Sequence, residues 1–214
     1  MDRRRPSRRL SLLSSAVALL ATLVGLVAQG AFALQPSGAL QTRVHGRAAC
    51  GTERWAIKTM SDSQASHVNL TAHSTSISAL RAKAAPASLG TTRIAPVELT
   101  TYRVHARLVE FKLESDSDIH LVVADPSTGG SMIVELPLLS CVSSAPAGVA
   151  QRIAAARHAL ISACGQPPST HFAHINGSAT ITGVGFFDFQ HGQAGVAPNA
   201  IELHPVLRFS GSCS

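Results

Sequence analysis

The chain has 214 residues, with 18 Lys+Arg against 12 Asp+Glu for a formal charge of +6, and 45% of its residues are hydrophobic. That apolar fraction excludes a wholly disordered or low-complexity chain and allows a packed core. With aromatic residues at only 4%, the core is expected to be aliphatic.

Arg3, Arg4, Arg5, Arg8 and Arg9 precede an apolar run from Leu12 to Ala28, and Ala31-Phe32-Ala33 has the small-x-small spacing that a signal peptidase accepts. Residues 1–33 therefore read as a cleavable signal peptide, and the protein as secreted or periplasmic. Ser7-Arg8-Arg9-Leu10 partly matches a twin-arginine signal, although Ser11 stands where such signals carry a large apolar residue, so the twin-arginine and general export routes both stay open. An uncleaved anchor is the alternative, because the run lies near the lower limit of about 17 to 25 residues needed to span a bilayer. After cleavage no membrane segment is expected.

Removal of residues 1–33 takes away five of the 18 Lys+Arg and one of the 12 Asp+Glu, leaving 13 against 11. A near-neutral remainder lacks the electrostatic footprint of sequence-independent phosphate binding, so there is no strong nucleic-acid signature. One domain and a monomer are expected.

Cys50, Cys141, Cys164 and Cys213 all follow the cleavage site, and an even count in an oxidising compartment favours two disulfides. Of the three possible pairings, Cys141 with Cys164 is preferred because they bracket a predicted helix. Cys50 with Cys213 then ties the chain ends together.

Residues 34–98 read as an N-terminal extension that wraps the domain. Within it, 34–52 is a loose leader and Trp55 to Lys58 a short strand. A helical turn capped by Ser74 or Thr75 carries Ile77 and Leu80. From residue 99 the pattern sharpens. Tyr102, Val104, Ala106 and Leu108 alternate with Arg103, His105 and Arg107, and then the phase slips so that Val109, Phe111 and Leu113 alternate with Glu110, Lys112 and Glu114. A period of two with one inserted residue predicts a long strand with a β-bulge, the bend that closing a small barrel requires.

Ile119 to Ala124 and Ser131 to Leu136 follow as strands, with Asp125-Pro126-Ser127-Thr128-Gly129-Gly130 as the turn between them. Ala147 to Ala163 is an amphipathic helix ended by Gly165 and Pro167-Pro168. Ala179 to Phe187, where Gly183 and Gly185 permit close approach, and Ile201 to Phe209 complete the set. The fold class is mostly β with one main helix. Its order, β-β-β-α-β-β over 99–214, is that of a five-stranded OB-type Greek-key barrel.

Asp118-Ile-His-Leu-Val-Val-Ala-Asp125, Gly183-Val-Gly-Phe-Phe-Asp-Phe-Gln-His-Gly192 and Pro198-Asn-Ala-Ile-Glu-Leu-His-Pro205 together resemble a family of secreted bacterial proteins without an assigned activity. The resemblance spans roughly residues 55–210 and implies export and an OB-like barrel. It supplies no catalytic residues.

Three groups of residues carry possible chemistry. Asp188, His191, Glu202 and His204 could hold a divalent metal, since Glu202 and His204 are two apart on one strand and so share a face. Asp118, His120, Asp125 and Glu135 on the second and third strands could run acid-base chemistry or hold calcium. This second group resembles the acidic strand positions of staphylococcal-type nucleases, yet no arginine falls between Arg107 and Arg152. Arg103, His105 and Arg107, with His120 beside them, form a candidate ligand face across the first strands. The sequence has no GxSxG elbow and no phosphate-cradling glycine loop.

These features point first to a secreted, disulfide-stabilised binding module for an unknown ligand, whether oligosaccharide, peptide or nucleic acid. A metal-assisted hydrolase or phosphodiesterase and a structural envelope protein are the alternatives.

Overall fold

A computed structural model describes residues 49–214. The expected signal peptide over residues 1–33 and most of the leader over 34–52 lie outside the described residues. The elements in chain order are helix α1 (Trp55–Lys58), strand β1 (Asn69–Ser74), helix α2 (Ile77–Arg81), strands β2 (Thr100–Leu113), β3 (Ile119–Ala124) and β4 (Ser131–Leu136), helix α3 (Ala147–Cys164), and strands β5 (Ala173–His174), β6 (Gly177–Phe187) and β7 (Ile201–Cys213). The protein is mostly sheet, with one long helix.

Five of the strands close on themselves. Their order is β2-β3-β4-β7-β6, and β6 pairs back onto β2. All these pairings are antiparallel except β4 with β7, which is parallel. The phase slip in β2 is what lets one strand serve two neighbours. Its first half, Thr101 to Arg107, pairs with β6, its second half pairs with β3, and the register shifts between Leu108 and Glu110 at the changeover. The inserted residue bends the strand at that point, as a bulge does.

Alternate residues of the five strands fill the barrel. Val104, Leu108, Ile119, Leu121, Val123, Met132, Val134, Leu136, Ile181, Leu203 and Val206 form one buried aliphatic core. Both longer helices add to it: Ile77 and Leu80 come from α2, and Ala156 and Leu160 from α3. Helix α2 is fastened to the β3–β4 turn, where the backbone N–H and the hydroxyl of Ser78 each donate to Asp125 Oδ2 at 2.9 Å. At the other end of those strands, Arg157 of α3 donates to the carbonyls of Leu136 and Ser117. Close approach explains Gly185, since a Cβ there would lie 2.6 Å from the Val97 carbonyl oxygen and 2.7 Å from the Tyr102 ring.

A second apolar cluster lies on the outside of the barrel. Val184 of β6 and Leu207 of β7 pack with Val149 and Ile153 of α3, with Val142, and with Met60 and Val68 of the N-terminal segment. The outer faces of the central strands are therefore covered rather than solvated. All six residues of β3 are buried, as are the last five of β4 and the first seven of β7.

The structure corrects four sequence expectations. Trp55 to Lys58 is a helical turn, not a strand, closed by Lys58 N–H to Arg54 O at 3.1 Å and Thr59 N–H to Trp55 O at 2.9 Å. Tertiary anchoring of Arg54 by Glu98 overrides the β preference of tryptophan and isoleucine. Ser76, rather than Ser74 or Thr75, caps α2 by accepting from Ala79 N–H at 3.0 Å. Ser74 instead ends β1, an unforeseen strand that lies parallel to β2.

Finally, the disulfides are Cys50–Cys141 and Cys164–Cys213, not Cys141–Cys164 and Cys50–Cys213. Helix α3, 18 residues long, carries Cys164 roughly 25 Å from the helix start at 1.5 Å per residue, and the start is the end nearer Cys141 in the chain. Bridged Cα atoms lie within about 7 Å, so a rigid rod keeps its two ends apart. The end of α3 is pinned to the end of β7 instead. The two bridges point to an oxidising, extracellular or periplasmic environment. Among the described residues no helix is long and apolar enough to cross a membrane.

Candidate functional site

Register alone sets out a polar row across the outer face of the sheet. Lys112 of β2 is the pairing partner of His120 of β3, and His120 is the partner of Glu135 of β4. In the parallel pairing of β4 with β7, Ile133 meets Glu202 and Val134 meets Leu203, which brings His204 beside Glu135. Ile119, Leu121, Val134 and Leu203 point into the barrel, so the alternating polar positions all point outward. There they are roofed by α1 and by the loop between β6 and β7.

His204 sits at the centre, fully buried together with Asp118. Its Nε2 lies 3.2 Å from Asp118 Oδ2 and its Nδ1 lies 3.0 Å from Glu135 Oε2. These are ion-pair distances, but the angles are poor. Neither ring nitrogen, and neither oxygen of Asp118, makes a geometrically sound hydrogen bond. Phe186 packs edge-on against the imidazole, with ring centroids 5.5 Å apart.

His120 Nε2 donates to the Ala194 carbonyl at 3.0 Å, and its Nδ1 faces Glu135 Oε1 at 3.4 Å and Glu114 Oε1 at 4.0 Å. Lys58, the last residue of α1, reaches down to pair with Asp188 Oδ2 at 2.8 Å. Its ammonium also lies 5.4 Å from the centre of the Phe186 ring. Glu202 is fully buried, and its Oε2 has no partner.

Burial and neighbouring charge pull the titrations apart. For His204, burial works against protonation, but the flanking Asp118 and Glu135 carboxylates outweigh it and raise the pKa to about 9. His120 is raised for the same reason, with Glu135 overcoming burial. Burial lifts Asp118 to about 6 against the pull of His204. Glu135 is driven the other way, because contacts with His120 and His204 overcome its burial and hold it well below the usual carboxylate range. Burial and the nearby Glu135 and Asp188 charges push Glu202 well above that range. Lys58 is raised, its acidic neighbours Glu135 and Asp188 overcoming the cost of burial. Burial and neighbouring charge thus push two adjacent carboxyl groups in opposite directions, Glu135 downward and Glu202 upward.

Lys58, His120, Glu135, Asp188 and Glu202 line a cleft of about 660 Å³ together with Trp55, Glu53, Glu114, Asp116, Gln193 and His191, and Asp118 and His204 are buried beside Glu135. The volume suits a small ligand. Six carboxylates line it against one lysine and two histidines. The Cys50–Cys141 bridge holds one wall, since Ala49 to Thr52 also face the cleft.

The two polar groups read from the sequence are thus partly merged. Asp118, His120 and Glu135 of one meet Glu202, His204 and Asp188 of the other. Asp125 stands apart at the far turn, where Ser78, Ser127 and Thr128 bond it. His191 is exposed at the cleft edge, and Asp188 is engaged by Lys58. Among the described residues, the His/Asp/Glu set whose ligand atoms lie within 4.8 Å of one another is Asp118, Glu135 and His204.

Arg103, His105 and Arg107 are exposed along β2. His120 is buried and lies away from them. Arg107 pairs with Ala124, four residues along β3 from His120, or roughly 13 Å at strand spacing. Arg157 spends its donors on backbone carbonyls rather than in the cleft.

Sequence reasoning did not find Trp55 and Lys58, which reach the cleft only because α1 folds over the sheet. A helical spacing of three places them on one side of that turn, and this is the signal that a strand assignment hid. Comparisons with protein-family models, curated proteins and solved structures give no match to this chain.

Proposed function

We propose that this protein is an exported, OB-type binding module of the secreted bacterial kind, and that it takes a small amine- or guanidine-bearing ligand, such as a basic peptide end, in the cleft over β3, β4 and β7. The OB reading is supported by the strand order β2-β3-β4-β7-β6, closed onto β2, with α3 between the third and fourth barrel strands. The two disulfides support export.

One observation carries the ligand reading. Glu202 Oε2 is buried at the base of an acidic cleft with no hydrogen-bond partner, and a buried acceptor left unpaired costs roughly 1–3 kcal/mol. An N–H donor on a ligand would supply the missing partner, the surrounding carboxylates would favour its positive charge, and Trp55 offers an apolar wall. The same acidity disfavours nucleic acid, narrowing the ligand classes left open by the sequence.

Thermal-shift and calorimetric titration with arginine, lysine, spermidine and short basic peptides, against acetate and neutral sugars as controls, tests this. Binding by the cationic set that falls at least about tenfold in Glu202→Gln and in Trp55→Ala, and is unchanged in Arg103→Ala/Arg107→Ala, is the expected result. That factor corresponds to the loss of about one hydrogen bond to a charged group. Binding abolished by the arginine pair and indifferent to Glu202 would transfer the ligand to the outer stripe of β2.

A further inference from the structure

We infer that Asp118, Glu135 and His204 form a seat for one divalent first-row transition ion, Zn²⁺ foremost, at the base of the cleft. This goes beyond the ligand reading and does not depend on it. The three side chains come from three different strands or strand ends, and each offers one ligand atom within 4.8 Å of the other two. Four-coordinate zinc with bonds of about 2.0–2.1 Å puts its ligand atoms roughly 3.3 Å apart; each ring nitrogen of His204 has one carboxylate oxygen near that spacing, Asp118 at 3.2 Å from Nε2 and Glu135 at 3.0 Å from Nδ1, and a set of one atom from each of the three residues closes within 4.8 Å.

A second observation separates this seat from an ordinary buried ion pair. An imidazolium held between two carboxylates should direct its two N–H groups along their lone pairs. His204 does not. Both of its ring nitrogens and both Asp118 oxygens are fully buried and without a hydrogen bond. Four buried polar atoms side by side without hydrogen bonds are costly unless something occupies the space between them. A cation bonded to one oxygen of Asp118, to Glu135 and to one ring nitrogen gives those atoms a partner without needing N–H alignment. Two carboxylates and an imidazole are hard and borderline donors, which suit Zn²⁺, Mn²⁺ or Fe²⁺.

The surroundings fit an outer shell. His120 holds the other oxygen of Glu135 at 3.4 Å and is itself oriented by the Ala194 carbonyl, the kind of support that metal-ligating carboxylates receive. Glu135 faces the cleft, giving an entry path. Three protein donors leave a fourth position for water or a cleft ligand.

The test uses the metal alone. Purified residues 34–214, refolded or expressed with disulfides intact and stripped with a chelator, are titrated with Co²⁺ and then Zn²⁺, reading visible d–d absorption and bound metal by elemental analysis. One equivalent of Co²⁺ with the strong absorption of a four-coordinate site, displaced by Zn²⁺, is expected. Asp118→Asn and Glu135→Gln, both nearly isosteric, should weaken binding by more than about 100-fold, the upper end of outer-shell effects. His191→Ala should not change it. The proposal is overturned if folded wild-type protein takes up no ion. It is overturned equally if uptake survives both carboxylate variants or is lost on removing His191. Should a variant misfold by circular dichroism, the wild-type spectrum still decides, because absence of d–d bands at one equivalent rejects the seat.

Discussion

Replacing Glu98 by alanine is the most exacting test of how the cleft wall is held. Glu98 is completely buried and accepts four hydrogen bonds: Arg54 Nη1 at 2.7 Å, Arg54 Nη2 at 2.8 Å, and the backbone N–H groups of Ile94 and Phe187 at 2.8 Å each. Arg54 also donates to the carbonyls of Phe187, Gly90 and Thr92, and it opens α1 from a left-handed backbone conformation with φ of 48°. The pair thereby fixes the helical turn that carries Trp55 and Lys58. Removing one partner of a buried pair costs about 3–5 kcal/mol, and each backbone donor left unpaired adds roughly 1–3 kcal/mol, partly relieved if water enters. Glu98→Ala is therefore expected to cost about 5 kcal/mol or more, a large share of the 5–15 kcal/mol typical of a domain. Urea unfolding with the disulfides intact, extrapolated linearly to zero denaturant, measures it. Arg54→Met should cost much less in a Glu98→Leu background than in wild type, because two matched apolar groups avoid the uncompensated charge. A loss below about 1 kcal/mol for Glu98→Ala, or an equal cost of Arg54→Met in both backgrounds, would show that the pair behaves as a surface contact and refute the reasoning.

The disulfides are expected to rank by the chain they enclose. With sequence separations of 91 and 49 residues, loop closure gives roughly 4.6 kcal/mol for Cys50–Cys141 and roughly 4.1 kcal/mol for Cys164–Cys213. Paired serine variants should therefore both lower Tm, and loss of the first should also expose Trp55 to fluorescence quenchers by freeing the 49–53 wall. At acid pH, Asp125 supplies a separate signature. Hydrogen bonds from Ser78, Ser127 and Thr128 hold its carboxyl down at about 2 from an ordinary 3.8. A depressed pKa gives stability that is fully present above about 4 and is lost as pH falls toward 2, so the stability gap between wild type and Asp125→Ala, followed by urea unfolding, should close over that interval.

Much of the barrel could be read from period two. The slip at Leu108-Val109 marks the bulge, and the three meander strands and α3 carry signals that tertiary contacts reinforce rather than override. What failed was the assumption that an outward strand position faces water. His120 alternates with Ile119, Leu121 and Val123, which places it with the exposed Arg103, His105 and Arg107 if every outward position is solvated. Its own neighbours argued otherwise, since Val122 and Ile133 are apolar on that same outer face and both are buried. A strand apolar on both faces is the mark of a covered sheet. The cover itself was harder to see. It comes from α1 and from the loop at 188–197, segments whose conformation depends on long-range partners such as Glu98 and Val122 rather than on local propensity. Gly195, at φ of 77° with no room for a Cβ beside Val122, shows how tightly that loop is laid down. The cysteine pairing was likewise beyond sequence, because choosing among three connectivities needs the direction in which α3 leaves the barrel.

Two kinds of buried charge coexist in this molecule, and the contrast argues for where function resides. Glu98 and Asp125 are closed systems, each surrounded by aligned donors and each tying separate segments together. The group at and beneath the cleft floor is not closed in this way. Of the six buried side-chain polar atoms left without hydrogen bonds among the described residues, five belong to Asp118, Glu202 and His204, the sixth being Thr101 Oγ1. A fold gains nothing from such an arrangement, since well-packed apolar residues at the same positions would be neutral or stabilising. Nor is the imbalance spread over the structure, as poor packing would leave it. It is concentrated in neighbouring outward positions beneath the acidic cleft, where an arriving cation, whether a metal ion below or an amine above, would supply the missing partners.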